Sequence, residues 1–258
     1  MHELKAVFVN NLRATWTMPV WVVLALVYPL MWLLLFGQLF RGVAVAPSTA
    51  AAARDFDYLT YFTPGMVAAT TVFGALWAGF GIALDRDSGV LGRILASPMR
   101  RGAVVAAYVL PSLSSVLAQA LVILGLAAAL GARISWSARS LAAMLGVVLV
   151  LGFCLSAFSH LMALLSRRQE TLVSTINFLS LPALFVSSAL YPLGEGPRWM
   201  ALLAELNPVH HGSELIRSIA LPGFEVHAYG RLAFLVIAGV LFQWAATALL
   251  RGERWETT

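Results

Sequence analysis

The chain alternates long apolar runs with short polar segments, and the runs have the length of membrane-spanning helices. A helix needs about 20 apolar residues to cross a hydrocarbon core of about 30 Å. Six runs meet this requirement, at residues 20–40, 61–84, 104–130, 141–165, 171–190 and 231–250. The pattern therefore predicts an all-α polytopic membrane protein with six transmembrane helices, folded as a single domain over residues 1–258.

Two segments outside these runs have an amphipathic pattern. In residues 2–18, apolar and polar side chains fall on opposite faces of a helix, which predicts a helix lying in the membrane interface. Between the fifth and sixth runs, residues 197–206 and 210–221 form two amphipathic pieces that are too short to span a bilayer. We expect these two pieces to be re-entrant helices packed against protein.

These elements divide the domain into six consecutive parts. They are an interfacial helix (1–19), spans one and two (20–84), a basic loop (85–102), spans three to five (103–190), a re-entrant region (191–229), and the sixth span with a polar tail (230–258). The first run, followed by Ala44-Val45-Ala46, imitates a secretory signal peptide. Because that run is longer than the usual apolar core of a signal peptide, we expect it to be a retained span.

The loop at residues 85–102 carries six of the 29 formally charged residues of the chain. If residues 86–97 form one helix, the apolar side chains at 90, 91, 94 and 95 share an arc of about 140°. Arg86 and Arg93 then project together on another side, and Pro98 ends the helix. A short amphipathic helix between two spans either binds a soluble partner or lies on the lipid surface.

The composition fits a membrane protein, with 60% hydrophobic and only 11% charged residues. Soluble domains usually carry about 25% charged residues. Ten of the 17 basic residues lie in the N-terminal segment, the loop 85–102, residues 166–170 and the C-terminal tail. Because basic residues close to spans favour the cytoplasmic side, both termini are expected there, with the re-entrant region outside. The net charge of +5 is spread over loops, so it does not indicate nucleic-acid binding.

The sequence contains no Gly-x-x-x-x-Gly-Lys-Ser/Thr loop for nucleotide phosphates. If ATP drives a transport step here, a separate chain must supply the ATPase. The single cysteine, Cys154, allows no intrachain disulfide and no cysteine-based metal site.

Histidines are the residues through which an enzyme or a proton carrier would act. His160 lies in the fourth span, near Ser156 and Ser159, while the pair His210-His211 follows an Asn-Pro turn. A hydrolase would need one of these imidazoles beside a nucleophile. A proton-coupled carrier would need a relay inside the membrane, for which the spans offer His160 but no carboxylate. Polar packing between helices is the simpler interpretation of these histidines, and both alternatives stay open.

A charged turn precedes the fifth span. Glu170 follows Arg167 and Arg168, with Gln169 between them. An acidic residue at a helix N-terminus meets the positive end of the helix dipole. One interpretation is that these three residues cap the helix. The other is that they form a salt link to the N-terminal helix, as the interface of a gate.

Four motifs occur in order along the chain. They are Tyr61-Phe-Thr-Pro-Gly-Met66, the stretch from Asp85 to Arg101, Leu179-Ser-Leu-Pro-Ala-Leu-Phe-Val-Ser-Ser-Ala-Leu-Tyr-Pro-Leu193, and Leu206-Asn-Pro208. Together with six spans they resemble the membrane subunit of ABC-2 type exporters, in particular bacterial daunorubicin-resistance and nodulation-factor export permeases. The resemblance covers nearly the whole chain.

The resemblance implies a permease rather than an enzyme, paired with a second copy or a paralogue in a bacterial cell membrane. Separate ATP-binding subunits would hold ATP and Mg²⁺, so that this chain itself binds no cofactor. The loop after the second span would contact the ATPase through its coupling stretch, at Arg86, Gly89, Leu91, Arg93, Leu95 and Pro98. Family members often have an acidic residue near position 92, where this chain has Gly92.

The resemblance also implies alternating access or a lateral opening driven by the closure of two ATPase subunits. The substrate path would lie at the dimer interface, where Asn177 and Phe178 of the fifth span are candidate lining residues. An uncharged path fits an amphipathic drug or a lipid-like, glycolipid or polysaccharide-type substrate. The alternatives are an intramembrane hydrolase and a proton-coupled drug efflux carrier.

Overall fold

The computed structural model describes residues 19–40, 44–45, 56–96, 101–166, 168–193 and 197–252. The predicted interfacial helix at the N-terminus, Pro98, Arg167 and the end of the C-terminal tail lie outside these residues. The described residues form helices α1 (Pro19–Leu39), α2 (Tyr58–Leu76), α3 (Ala78–Asp87), α4 (Val90–Ala96), α5 (Arg101–Ala129), α6 (Ala138–Leu165), α7 (Gln169–Phe185), α8 (Arg198–Glu205), α9 (Pro208–Ala220) and α10 (Ala228–Gly252). Two short strands, β1 (Ala44–Val45) and β2 (Phe56–Asp57), pair in antiparallel fashion before α2.

Within the described residues, four helical segments are long and apolar enough to cross a membrane. They are Tyr58–Asp87, which joins α2 and α3, and the segments Ala107–Ala129, Ala138–Leu165 and Ala228–Leu250. They correspond to the predicted second, third, fourth and sixth spans, which confirms the helical membrane-protein class. The predicted first and fifth spans correspond to α1 and α7, of 21 and 17 residues. They are not among the four, so the number of six spans stays a prediction.

The helix α2 forms the centre of the described bundle. Sixteen of its 19 residues are buried, and it packs against α1, α5, α6 and α9. Thr63, Thr70 and Thr71 each donate a hydrogen bond to the carbonyl four residues earlier, so their hydroxyls are satisfied in an apolar environment. At Gly65 an added Cβ would overlap the backbone of Ala189. Small residues thus let the neighbouring chain approach closely, as in other membrane helix contacts.

The second span is broken into two helices at Trp77. Ser159 of α6 occupies the break, where its hydroxyl donates to the carbonyl of Leu76 and accepts from the backbone N–H of Gly79 at 2.9 Å. The span begins at Tyr58, one turn before the contact of Tyr61 with Arg217 of α9, and ends at Asp87, just before α4. We refer to these two ends of the bundle as the α9 end and the α4 end.

The expectation of one helix over residues 86–97 is wrong. The second span continues to Asp87, and the chain then turns at Ser88 and Gly89 before α4 begins at Val90. Gly89 has φ = 72°, a backbone conformation that favours glycine because it carries no Cβ. Arg86 and Arg93 therefore lie on different helices and do not project together.

Two short helices occupy the region between α7 and α10, as the amphipathic pattern predicted. The helix α9 is capped by Asn207, whose Oδ1 accepts from the Val209 N–H at 3.0 Å, with Pro208 at its first position. Its residues from Val209 to Arg217 are all buried, against α2, α6 and α10. Whether α8 and α9 enter the membrane as re-entrant helices stays a prediction.

Candidate functional site

The helix α4 is amphipathic and its apolar face is turned into the protein. Leu91 and Leu95 are 1% and 9% exposed and belong to the hydrophobic core. Gly92 and Arg93 are exposed, as is Gly89 in the turn before the helix. Because the apolar face packs on the bundle, it is not the face that would rest on lipid. The face that points away from the described bundle is small and carries the cation of Arg93.

The residues just before α4 are fastened to the bundle. The Arg86 side chain is only 13% exposed. One of its terminal nitrogens donates to the carbonyl of Ala163 at 2.9 Å and to the carbonyl of Ser166. Its Nε donates to Asp87 at 3.1 Å. Arg86, expected in the stretch that contacts a partner, therefore lies on α3 and binds the end of α6.

The charged turn before α7 lies at the same end of the bundle. Arg168 is the residue before α7, and Glu170 is in its first turn, where an acidic side chain meets the positive end of the helix dipole. Both side chains are exposed, and neither forms an ion pair with another described residue. The expected salt link to the N-terminal helix falls outside the described residues.

Asn177 and Phe178 lie side by side on the exposed face of α7. The Phe178 side chain is 75% exposed, and Leu181 and Phe185 of the same helix are 48% and 46% exposed. Positions 178, 181 and 185 share one face of the helix. In a single copy of the chain, α7 therefore exposes an apolar surface that includes one amide, that of Asn177.

A buried ionic cluster at the α9 end was not anticipated from the sequence. Arg217 is 0% exposed, and its guanidinium carbon lies 4.0 Å from the ring centroid of Tyr61. It forms an ion pair with Glu214 at 2.6 Å and donates to the carbonyl of Ser188 at 2.8 Å. This cluster ties α9 to the start of α2 and to the segment after α7. The only sequence signal was the spacing of Glu214 and Arg217, one helical turn apart.

The two adjacent histidines extend this polar network. The Nδ1 of His210 is 3.0 Å from the Ser188 hydroxyl, and its Nε2 is 3.7 Å from a Glu205 carboxylate oxygen. His211 contacts the backbone carbonyl of Glu205 through Nε2 and the Arg231 guanidinium through Nδ1, at 2.9 and 3.2 Å. The two imidazoles thus join α8, α9, α10 and the segment after α7.

The contacts from Ser188 to His210 and from His210 to Glu205 resemble those of a serine hydrolase. These residues, however, lie in a packed core. Ser188 is 3% exposed, and its hydroxyl also contacts the Ser213 hydroxyl at 2.9 Å. A nucleophile must be reachable by its substrate. Burial lowers the pKa of His210 to about 4, so its imidazole is neutral at pH 7. The cluster therefore holds helices together.

His160 of α6 has no serine partner among the described residues. Ser156 contacts the Ser112 hydroxyl at 2.9 Å, and Ser159 occupies the break in the second span. His160 is fully buried, with its ring facing Tyr108 at 6.4 Å. The serine–histidine contact that an intramembrane hydrolase needs is not formed here.

Comparisons with known proteins identify the family of this chain. Residues 2–221 match the family described as ABC-2 type transporter. A putative transport permease, ycf38, from Cyanophora paradoxa is 31% identical over 202 residues, covering 77% of this chain and 67% of that protein.

Two bacterial relatives carry names from drug transport. The daunorubicin resistance ABC transporter permease protein DrrB1 of Streptomyces coeruleorubidus is 25% identical, over 78% of this chain and 69% of its own length. The probable multidrug ABC transporter permease YbhR of Escherichia coli K12 is 26% identical, over 65% of this chain and 45% of its own length. This chain therefore belongs to the ABC-2 type transporter family and is a membrane permease of an ABC transporter.

Proposed function

We propose that this chain is the permease subunit of an ATP-driven exporter in a bacterial cell membrane. Separate ATPase subunits bind ATP and Mg²⁺ and hydrolyse the nucleotide, and the permease provides the path. The chain crosses the membrane six times, with both termini in the cytoplasm and with α8 and α9 re-entrant from the outer side. The α4 end of the bundle is then cytoplasmic, where an ATPase can reach it.

The observation that carries this proposal is the placement of α4. It is a helix of seven residues, attached to the end of the second span by a two-residue turn and anchored to the core by Leu91 and Leu95. Its remaining face, around Gly92 and Arg93, is exposed. A partner that binds this face can therefore push on a membrane span through a short connection. We assign the coupling contact of this exporter to this face. Leu91 and Leu95, on the opposite side of α4, hold the helix against the core.

A second copy of the chain, or a paralogue, is proposed to cover the exposed face of α7. Asn177 is exposed on this helix beside Phe178. An amide facing lipid is unfavourable because its polar groups lack partners there. Pairing of two permeases through this face would give the amide a polar neighbour. It would also place Asn177 and Phe178 along the path between the two copies.

The chemistry of that face favours an amphipathic substrate. The described part of α7 between residues 171 and 185 carries no charged side chain, and Phe178, Leu181 and Phe185 are exposed along it. Such a path accepts aromatic and aliphatic groups better than a charged sugar. We therefore favour a drug or a lipid-like molecule. The names of the two bacterial relatives refer to drugs.

The test is purification of the tagged chain from native membranes, followed by identification of the proteins that accompany it. Arg93→Glu reverses the exposed charge of α4 without touching the core. Arg139→Glu is the matched control, since Arg139 is also exposed but lies at the start of α6, at the other end of the bundle.

The proposal predicts an ATPase with the unaltered chain and with Arg139→Glu, and much less ATPase with Arg93→Glu. An unaltered chain that carries no ATPase would contradict the proposed function. An ATPase retained equally by both variants would contradict only the assignment of the contact to Arg93.

A further inference from the structure

We propose that the three consecutive residues Asp85, Arg86 and Asp87 are positioning residues that join the coupling helix α4 to three other helices at once. Each of the three contacts a different helix, namely α5, α6 and α7. If the ATPase displaces α4, several spans would therefore move with it rather than the second span alone. This inference rests on the proposed function, because it assumes that an ATPase moves α4.

The first link joins α3 to α5. The hydroxyl of Tyr108 donates to the Asp85 carboxylate at 2.5 Å, and Tyr108 itself is 5% exposed. A hydrogen bond to an ionised acceptor is about twice as strong as one between neutral groups. Since Tyr108 is held by its burial in α5, the bond fixes Asp85 against that helix.

The second link joins α3 to the end of α6. The last carbonyls of a helix have no partner inside the helix and carry the negative end of its dipole. Arg86 donates to one such carbonyl, that of Ala163, and through the same terminal nitrogen to the carbonyl of Ser166, the residue that follows α6. The cation of Arg86 therefore caps α6 with both charge and hydrogen bonds. Only 13% of this side chain is exposed, and its hydrogen bonds to α6 lie within the bundle.

The third link joins α3 to the beginning of α7. One carboxylate oxygen of Asp87 accepts from the Gln169 amide at 2.8 Å, and the other pairs with the Arg86 Nε at 3.1 Å. Asp87 thus connects the first residue of α7 to the group that caps α6. The turn between α6 and α7 is consequently held from two sides.

Consecutive residues on a helix point about 100° apart, so three in a row can reach three surrounding helices. The connection to α4 is equally short. The backbone N–H groups of Ser88 and Gly89 bond to carbonyls of α3, and that of Arg93 bonds to the Gly89 carbonyl at 3.3 Å. Ser88 and Gly89, the two residues between Asp87 and Val90, thus both belong to this hydrogen-bonded turn. The position of α4 is therefore fixed relative to α5, α6 and α7.

The test is carried out on the complete complex of this chain with the ATPase that co-purifies with it, in lipid nanodiscs. The single cysteine is replaced by Cys154→Ala, and Ser174→Cys places an environment-sensitive bimane label on the exposed side of α7. The fluorescence change on adding Mg²⁺, ATP and vanadate reports whether ATP binding at the ATPase reaches α7.

Arg86→Ala and Asp87→Ala remove the second and third links. Arg86→Lys is the conservative variant, because an ammonium can donate to the two carbonyls that a single arginine nitrogen serves. Asp87→Asn likewise keeps an oxygen that can accept from Gln169. We expect the nucleotide-dependent signal to be lost in the alanine variants and restored in the conservative variants, with the ATPase bound in the same ratio in all four.

If Arg86 and Asp87 only stabilise the fold, the alanine variants should yield less assembled complex. The complex that does form should then keep its nucleotide-dependent signal. A signal of unchanged size in the alanine variants would overturn the inference, as would a parent complex that hydrolyses ATP without any signal at position 174. If Arg86→Ala does not fold, Asp87→Ala gives the same test, since the Asp87 side chain is 41% exposed. A parent chain that carries no ATPase would overturn the proposed function, and this inference with it.

Discussion

The buried ion pair between Arg217 and Glu214 gives the strongest stability prediction, through the variant Arg217→Met. Methionine keeps most of the volume but leaves the Glu214 carboxylate, which is 11% exposed, without its cation. It also removes the bond to the Ser188 carbonyl and the stacking on Tyr61. Removing one partner of a buried ion pair costs about 3–5 kcal/mol, because the other charge stays buried and uncompensated.

This cost is measurable as a fall in the apparent melting temperature of the purified chain, followed by tryptophan fluorescence. For chains of about this size, 1 kcal/mol corresponds to roughly 2–4 °C. The melting temperature should therefore fall by roughly 6–20 °C. The exposed Arg139 provides the matched control, and Arg139→Met should change the free energy of unfolding by no more than about 0.5 kcal/mol.

A double variant separates an uncompensated charge from lost packing. Arg217→Met combined with Glu214→Leu removes both charges, and replacement of a buried pair by apolar residues is often neutral or better. We expect the double variant to be more stable than Arg217→Met alone. The reasoning is refuted if Arg217→Met melts within 2 °C of the unaltered chain, or if the double variant melts lower than the single one.

Three further predictions concern other parts of the chain. Gly79→Ala should sharply reduce the yield of folded chain, because its Cβ would overlap the carbonyl of Ser159, whereas Gly125→Ala, in open space, should leave the yield on size-exclusion chromatography unchanged. Gly89→Ala should destabilise the turn before α4, so that protease cleavage near it becomes faster. The pKa of His210 is lower in the folded chain than the usual 6.5, so protonation of this imidazole favours the unfolded chain. The contribution of His210 to the free energy of unfolding is therefore fully present above about pH 6.5 and is lost as the pH falls towards 4. A melting temperature that is the same at pH 7.5 and 4.5 would contradict this last prediction.

The features that the sequence predicted well depend on local pattern. Four spans follow from the length of apolar runs, and α8 and α9 follow from amphipathic periodicity and the Asn-Pro signal before α9. The family follows from motifs that stay in order along the chain. These signals are contained in neighbouring residues, so they need no knowledge of the tertiary structure.

The features that the sequence missed depend on distant partners. The role of Arg86 is set by carbonyls near the end of α6, about 80 residues away, and backbone carbonyls leave no trace in a sequence. The burial of Arg217 likewise depends on Tyr61 and Ser188. The break at Gly89 does not follow from the helical pattern of residues 86–97, because a glycine in such a pattern lowers helix propensity without showing that the backbone makes a left-handed turn there.

The contact between α4 and an ATPase is the central claim, and site-specific crosslinking tests it most directly. In the Cys154→Ala background, Gly92→Cys carries a maleimide–benzophenone crosslinker on the exposed side of α4, and Ser137→Cys carries it at the start of α6. Illumination of native membranes should link the ATPase to position 92 and not to position 137. A chain that forms no ATPase adduct from position 92, or the same adduct from both positions, would contradict the account.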